Sequence, residues 1–160
     1  MNLKVKTMLK ISIRLEDGTV YIDNKALNLQ SEEDFKSDLT LAAKEQLNFS
    51  EHNNYQKYYI DGKFLDKEFR LSITFFKEKI YYSQILLSPA WGNAFTKGYE
   101  TSYDEVIKDI QSLAKILEIE QNLISSLRDF NRVLYRFEWG EIVCSGSLKT
   151  PSAGISIKYN

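Results

Sequence analysis

The stretch Phe69–Phe75 reads Phe-Arg-Leu-Ser-Ile-Thr-Phe, with an apolar side chain at every second position. Because successive side chains of a β-strand point to opposite faces, this alternation predicts a strand with one buried and one solvated face. The charged residues 77–79 follow as a turn, and the apolar run 80–87 forms the next strand. Ser88-Pro89 ends it, because proline has no N–H for the ladder. The middle of the chain therefore predicts two neighbouring antiparallel strands.

Turn signals extend this pattern toward the N-terminus. Apolar residues alternate with polar ones over 9–15 and again at 20–22, on either side of Asp17-Gly18. This arrangement is typical of a β-hairpin. A second Asp-Gly pair, Asp61-Gly62, predicts another turn, within the aromatic stretch 58–65.

The C-terminal third shows the same period of two. Apolar residues alternate from Val133 to Trp139, and the alternation resumes at Ile142 after a bulge or kink at Gly140. A small polar connection follows over 145–154, and residues 155–159 alternate again. We expect these two alternating runs to form a long closing hairpin.

Helical spacing occurs in two main places. Ser31 offers an N-cap with Asp34 three residues on, and apolar residues recur from Phe35 to Leu47, which predicts a short amphipathic helix. Ser102 and Glu105 form a capping-box pair before the apolar stripe that ends at Leu117, the most regular helical pattern in the chain. Residues 121–129 suggest a further short helical piece.

Length and composition are those of one folded unit. A chain of 160 residues buries roughly two-thirds of its unfolded surface in one domain. Its 10 Tyr and 9 Phe against 2 Pro favour a sheet with aromatic cross-strand packing. We predict an α+β protein, a single domain over 1–160, mainly antiparallel β-sheet with two or three helices packed on it.

The sequence is poor in the residues that most catalytic and metal sites use. It has one histidine, His52, in a polar stretch that predicts an exposed loop, and one cysteine, Cys144, at a buried strand position. A nucleophile–imidazole relay or a zinc site needs more of these residues. We therefore predict a protein that binds and does not catalyse, without metal or cofactor. A carboxylate enzyme using pairs such as Asp61 with Asp66 stays open.

Charge and cysteine usage constrain the partners and the compartment. Lys+Arg number 21 and Asp+Glu 22, which favours neither nucleic acid nor an anionic membrane as partner. A single cysteine suits a reducing compartment. Lys10 and Arg14 interrupt the first apolar stretch. The remaining apolar runs are too short for the apolar region of a signal peptide or for a membrane span, so we expect neither. We expect a cytoplasmic protein.

Two features mark a candidate binding surface. Residues 90–101 predict a loop with three large aromatic residues, Trp91, Phe95 and Tyr99. These rings either fold back on the sheet or anchor a partner. A group of acidic residues at the same place either complements the helix dipole or forms an acidic face for a basic partner; its members are Glu100, Asp104, Glu105 and Asp109. Both interpretations of these carboxylates can hold together.

A family resemblance lies in the predicted closing hairpin. Residues 137–142 read Phe-Glu-Trp-Gly-Glu-Ile, and residues 155–159 read Ile-Ser-Ile-Lys-Tyr. Together they resemble the C-terminal signature of bacterial immunity proteins, which neutralise polymorphic or contact-dependent growth inhibition toxins. The preceding strand pair, aromatic loop and Ser-capped helix are also similar. The chain departs from the family where an acidic residue is expected in the hairpin connection, because it has Ser147 and Lys149 there.

The resemblance implies tight stoichiometric binding of a cognate toxin domain, without catalysis. The implied recognition surface is the aromatic loop and the acidic helix start, namely Trp91, Asn93, Phe95, Tyr99, Asp104, Glu105 and Asp109. A small-ligand-binding or adaptor domain using the same sheet and loop remains an alternative.

Overall fold

A computed structural model describes residues 8–76, 79–117, 119, 123–129, 131–149 and 152–160, and gives the backbone alone for 79–84. The strands are β1 (Leu9–Arg14), β2 (Thr19–Ile22), β3 (Lys25–Ala26), β4 (Asn48–His52), β5 (Tyr55–Phe64), β6 (Lys67–Phe76), β7 (Lys79–Pro89), β8 (Ser125–Asp129), β9 (Arg132–Phe137), β10 (Gly140–Ser147) and β11 (Ser152–Tyr159). The helices are α1 (Glu32–Ser37), α2 (Leu41–Gln46), α3 (Asn93–Lys97) and α4 (Tyr103–Leu117), with a 3₁₀ turn at Gly98–Glu100.

These strands belong to one sheet in the order β3-β2-β1-β5-β6-β7-β11-β10-β9-β8, with β4 also paired to β5. Its pairs are antiparallel except β1 with β5. The predicted α+β class with a mainly antiparallel sheet is confirmed. The described ranges contain four α-helices where two or three were expected, because two predicted segments divide differently.

The core lies on one face of this sheet. Leu71 pairs with Ile60 on one side and Leu87 on the other, and the row continues through Ile155 to Cys144. These side chains are buried. Residues paired across strands share a face, so the registers build a continuous apolar surface that the helices can cover.

Two helices cover different parts of this face. In α1 the buried ring of Phe35 packs against Tyr58 and Phe75, with centroids 5.5 and 5.6 Å away. In α4 the buried Val106 and Ile110 lie over Gly146, where an added Cβ would come within 2.7 Å of the valine. Glycine in β10 thus allows α4 to approach the sheet closely.

The sequence prediction of a turn at Asp61-Gly62 is wrong. Both residues lie inside β5, and the hairpin turn is at Leu65-Asp66, where φ is 51° and 64°. A Cβ on Gly62 would lie 2.8 Å from the carbonyl oxygen of Leu9. Glycine is needed at position 62 because β1 lies too close for a side chain there, and the Asp-Gly pair does not mark a turn.

The predicted helix over 31–47 is two helices. The Ser31 cap is confirmed, since its Oγ accepts from the Asp34 N–H at 3.1 Å, but α1 ends at Ser37. Thr40 then caps α2 by accepting from the Ala43 N–H at 3.2 Å. A threonine hydroxyl competes for backbone donors, so an apolar period alone did not reveal the break.

The predictions near the C-terminus need three corrections. Residues 125–129 form β8 and not a helix; 121 and 122 lie outside the described residues. The predicted kink at Gly140 is a hairpin turn at 138–139, so β9 and β10 are separate strands. The predicted connection 145–154 is shorter, because β10 continues to Ser147 and β11 begins at Ser152. Pairing with neighbouring strands overrode the local signals in each case.

The remaining predictions near the sheet are mostly confirmed. The first hairpin is present as β1 and β2, and β7 ends at Pro89. Of the predicted charged turn, 77 and 78 lie outside the described residues and Lys79 begins β7. His52 is exposed as predicted, but it ends β4 and does not lie in a loop.

Candidate partner-binding surface

The predicted aromatic loop is largely helical. Residues 93–97 form α3 and 98–100 the 3₁₀ turn, directly before α4. Gly92 and Gly98 frame α3 with φ of 94° and 56°. Glycine adopts these left-handed values without a steric penalty, so the two glycines set the bends that project α3 from the end of β7.

A buried carboxylate from α4 holds the start of α3. Asp109 is 5% exposed, and its Oδ1 accepts from the backbone N–H of Asn93 at 2.9 Å. Its Oδ2 accepts from the backbone N–H of Ala94 at 2.8 Å. Asp109 thereby satisfies donors that a helix leaves free in its first turn. The expectation that Asp109 belongs to an exposed acidic face is wrong.

Asn93 is also used inside the protein. The side-chain Nδ2 of Asn93 donates to Asp109 Oδ1 at 3.0 Å. The backbone carbonyl oxygen of Asn93 accepts from Thr101 Oγ1 at 3.2 Å. The side chain is partly buried. Asn93 therefore connects the start of α3 to α4 and to Thr101, the residue after the 3₁₀ turn, and these polar groups have partners inside the protein.

Glu105 is partly buried, and both of its carboxylate oxygens have partners within the protein. Its Oε1 accepts from the N–H of Ser102 at 3.3 Å and from the Ser102 Oγ at 3.0 Å, which confirms the capping box. Its Oε2 contacts the Lys97 ammonium, which with the Ser102 donors holds the pKa of Glu105 below its ordinary value. This ion pair fastens the end of α3 to the first turn of α4.

Trp91 folds back on the sheet. Its ring meets Phe69 edge to face with centroids 5.9 Å apart, and the Lys67 ammonium lies 5.1 Å from its ring centroid. The indole Nε1 is buried and has no hydrogen-bond partner among the described residues. Of the two interpretations of the aromatic loop, folding back applies to Trp91.

Phe95 and Tyr99 instead point into solvent. Phe95 is 64% exposed and Tyr99 87% exposed, and Asp104 is exposed beside them in sequence. Two neighbours outside the predicted contact set are exposed as well. Sequence reasoning missed Tyr103, which is 47% exposed, whereas the exposed Glu100 belongs to the predicted acidic group. The spacing in α4 offered no signal for the exposure of Tyr103, because positions 103, 106 and 110 share one face of a helix and Val106 and Ile110 are buried. We call Phe95, Tyr99, Glu100, Tyr103 and Asp104 the aromatic surface.

Other reactive groups lie elsewhere or are engaged. Cys144 is buried as predicted, and burial raises the pKa of its thiol to about 12. Asp61 accepts two hydrogen bonds from the Arg70 guanidinium, at 2.9 and 3.3 Å. The described residues contain no group of three or more His, Cys, Asp or Glu arranged to hold a metal ion.

Comparison with protein-family models, with curated proteins and with solved structures found no match. Among the described residues, no helix has the length and apolar character needed to cross a bilayer.

Proposed function

We propose that this protein neutralises a cognate bacterial toxin domain in the cytoplasm by binding it in a tight stoichiometric complex, without catalysis. The observation that carries the proposal is the exposure of Phe95 and Tyr99 on a segment that the buried Asp109 holds in place. The aromatic surface is the proposed contact.

Large exposed rings on a fixed support suit a binding role. Aromatic side chains contribute much of the energy at protein interfaces when they enter a partner's pocket. A segment already held by Asp109 and by the Lys97–Glu105 ion pair loses little conformational entropy on binding. The tethering of α3 therefore favours affinity at Phe95 and Tyr99.

The charges of this surface indicate the chemistry of the partner. Glu100 and Asp104 are exposed, and neither forms an ion pair among the described residues. Exposed carboxylates speed encounter with a basic partner. We therefore propose that the toxin domain presents a basic face around an apolar pocket.

The resemblance of residues 137–142 and 155–159 to immunity proteins supports the same function. The departure at Ser147 and Lys149 bears on the place of contact. Ser147 Oγ accepts from the Lys149 N–H at 3.2 Å within the β10–β11 turn. We therefore propose the α3–α4 region, and not this turn, as the main contact.

The test is purification of the tagged full-length chain from its host, native mass spectrometry and sequencing of the copurifying chain. We expect a one-to-one complex whose partner is toxic alone and inactive when bound. The double variant Phe95→Ala/Tyr99→Ala is expected to lose the partner. The matched control is Leu41→Ala on α2, where Leu41 is 74% exposed. A partner without toxicity, or equal retention by the double variant and the control, would overturn the proposal.

A further inference from the structure

A groove of about 350 Å³ lies between α4 and the last strands of the sheet. It shares no residue with the aromatic surface. Because α4 packs mainly on β10 and β11, β9 and β8 extend beyond the helix and form the floor of the groove. The lining consists of Ile107, Ile110, Gln111, Arg128, Asp129 and Val133.

The groove borders a strand whose outer edge is open. β8 is the last strand in the sheet order, and no described strand pairs with its outer side. Alternate residues of such an edge direct their N–H and C=O groups away from the neighbouring strand. All five residues of β8 are exposed, whereas β3, at the other end of the order, has only two residues. The edge of β8 is therefore the longer template for one more strand.

Apolar side chains are exposed along this edge as well. Leu127 in β8 is 48% exposed, and Ile124, directly before β8, is 61% exposed. Positions 124 and 127 differ by an odd number, so these side chains lie on opposite faces of the sheet. An additional strand would cover part of both side chains.

Arg128 lies on the face of β8 that borders the groove. It is the register partner of Val133 on β9, which pairs in turn with Cys144 on β10. Paired residues share a face, and Cys144 belongs to the core that the helices cover. The Arg128 charge accordingly opposes the rise that burial causes in the pKa of Tyr135 and of Cys144, two residues of this face.

The charge of Arg128 is not balanced by a described carboxylate. Asp129, the other charged residue of the lining, pairs instead with Arg132, with 3.3 Å between Oδ2 and Nη2. Within the described residues no carboxylate lies at ion-pair distance from Arg128. A charge on the packed face of an edge strand discourages pairing with strands that carry no counter-charge. Arg128 therefore favours a strand that brings an acidic side chain.

We propose that the outer edge of β8 binds an extended peptide segment of another protein, which adds a strand to the sheet and places an acidic side chain beside Arg128. Apolar side chains two positions before and after the acid lie along the groove, toward the partly buried Ile107 of α4. Main-chain hydrogen bonds supply affinity in this mode of binding, and the alternate side chains supply specificity. This site is separate from the aromatic surface and does not depend on the proposed toxin binding.

Calorimetric titration of the full-length chain tests the proposal with the capped peptide Thr-Val-Thr-Glu-Thr-Val-Thr, and with the same peptide carrying glutamine in place of glutamate. We expect one-to-one binding of the glutamate peptide and about fivefold weaker binding of the glutamine peptide, the effect of one exposed ion pair. The variant Arg128→Gln should bind the two peptides equally. Its matched control is Arg136→Gln, an exposed arginine on the other face of β9, which should keep the preference.

N-methylation of the peptide tests the addition of a strand. Two further glutamate peptides carry N-methyl groups on alternate residues, one set in each peptide. Only the set whose N–H groups face β8 should abolish binding, because alternate residues of an added strand donate to the edge. Equal effects of the two sets, whether both abolish binding or both leave it intact, would overturn strand addition.

The variant Gln111→Trp tests the place of binding. Gln111 is exposed on α4 and lines the groove, so an indole there should abolish binding of both peptides. Ser112→Trp places the same ring on the next exposed residue, outside the lining, and should leave binding intact. Equal effects of the two tryptophans would overturn the assignment to this groove. Failure of the wild-type chain to bind the glutamate peptide, or equal affinity for both peptides, would overturn the proposal.

Discussion

The indole Nε1 of Trp139 donates a hydrogen bond of 2.7 Å to the carbonyl oxygen of Leu15, 124 residues earlier in the chain. The hydroxyl of Tyr159 donates to the Gly18 carbonyl at the same distance. Four strands separate β1 from β10 in the sheet order. The sheet must therefore curve until its first hairpin meets the β9–β10 turn, and Trp139 fastens the two together.

Replacement of Trp139 by phenylalanine tests this contact. The ring still packs, but the Leu15 carbonyl loses its donor, so we expect the free energy of unfolding to fall by about 1 kcal/mol. The matched control is Trp91→Phe, which removes the same side-chain atoms. The Nε1 of Trp91 has no hydrogen-bond partner among the described residues, so no hydrogen bond is lost there. Urea unfolding should show a clearly smaller loss for Trp91→Phe. Equal losses would mean that the Trp139 hydrogen bond contributes nothing beyond ring volume.

The β5–β6 turn offers a stabilising substitution. Leu65 and Asp66 both have positive φ, the conformation in which Asn-Gly is favoured. Leu65→Asn/Asp66→Gly should raise the free energy of unfolding by about 0.5–1 kcal/mol by relieving strain. Thermal unfolding measures the shift in Tm. The comparison is Gly62→Ala in β5, which should lower Tm because its Cβ would lie 2.8 Å from the Leu9 carbonyl.

The two Asp-Gly pairs show how far the sequence could predict this fold. Asp17-Gly18 makes the expected turn, and the capping pairs at Ser31 and Ser102 were also recognisable, because each depends on neighbours in the chain. Gly62 has the same local signal but is required by β1, about fifty residues earlier. Period-two alternation therefore predicted most strands, and contacts between distant strands decided the exceptions.

The same limit applies to the candidate partner-binding surface, where local patterns predicted some residues correctly and a contact between helices decided the others. Phe95, Tyr99 and Asp104 are exposed as a recognition role requires. Asp109 carries the same charge as Asp104 on the same helix, yet it is buried against α3. Asp109 is buried because α3 packs against this side of α4, and the spacing of residues in the sequence does not predict that contact. Sequence reasoning could name the region but not separate its contact residues from its supporting residues.

Asp109→Ala tests the supporting role. It leaves the backbone N–H groups of Asn93 and Ala94 without acceptors, so we expect a loss of about 1–3 kcal/mol in unfolding free energy. Amide hydrogen exchange should accelerate first in α3. Asp104→Ala, on the exposed side of the same helix, should change stability by less than about 0.5 kcal/mol. Unchanged exchange in α3 for the Asp109 variant would show that other contacts hold this helix.

Glu105 gives the α3–α4 junction a dependence on pH. The pKa of Glu105 is held below its ordinary value of 4.5 by Lys97 and Ser102, so its contribution to stability is present above that value. It is lost as pH falls through the lowered pKa of the folded state. Glu105→Gln should therefore lower Tm at neutral pH and flatten the acid limb of a Tm profile. A profile parallel to that of the wild-type chain would show that the ion pair adds no stability.

Charge reversal on the aromatic surface addresses association with the proposed toxin partner. Glu100→Lys/Asp104→Lys should slow association about tenfold at low salt and weaken its salt dependence, because these carboxylates attract a basic face over long range. Stopped-flow or surface-binding kinetics at two ionic strengths measure both effects. Glu33→Lys/Glu45→Lys, on α1 and α2, makes the same charge change outside this surface. If both variants slow association equally, the attraction comes from net charge, and Glu100 and Asp104 have no special place in the interface.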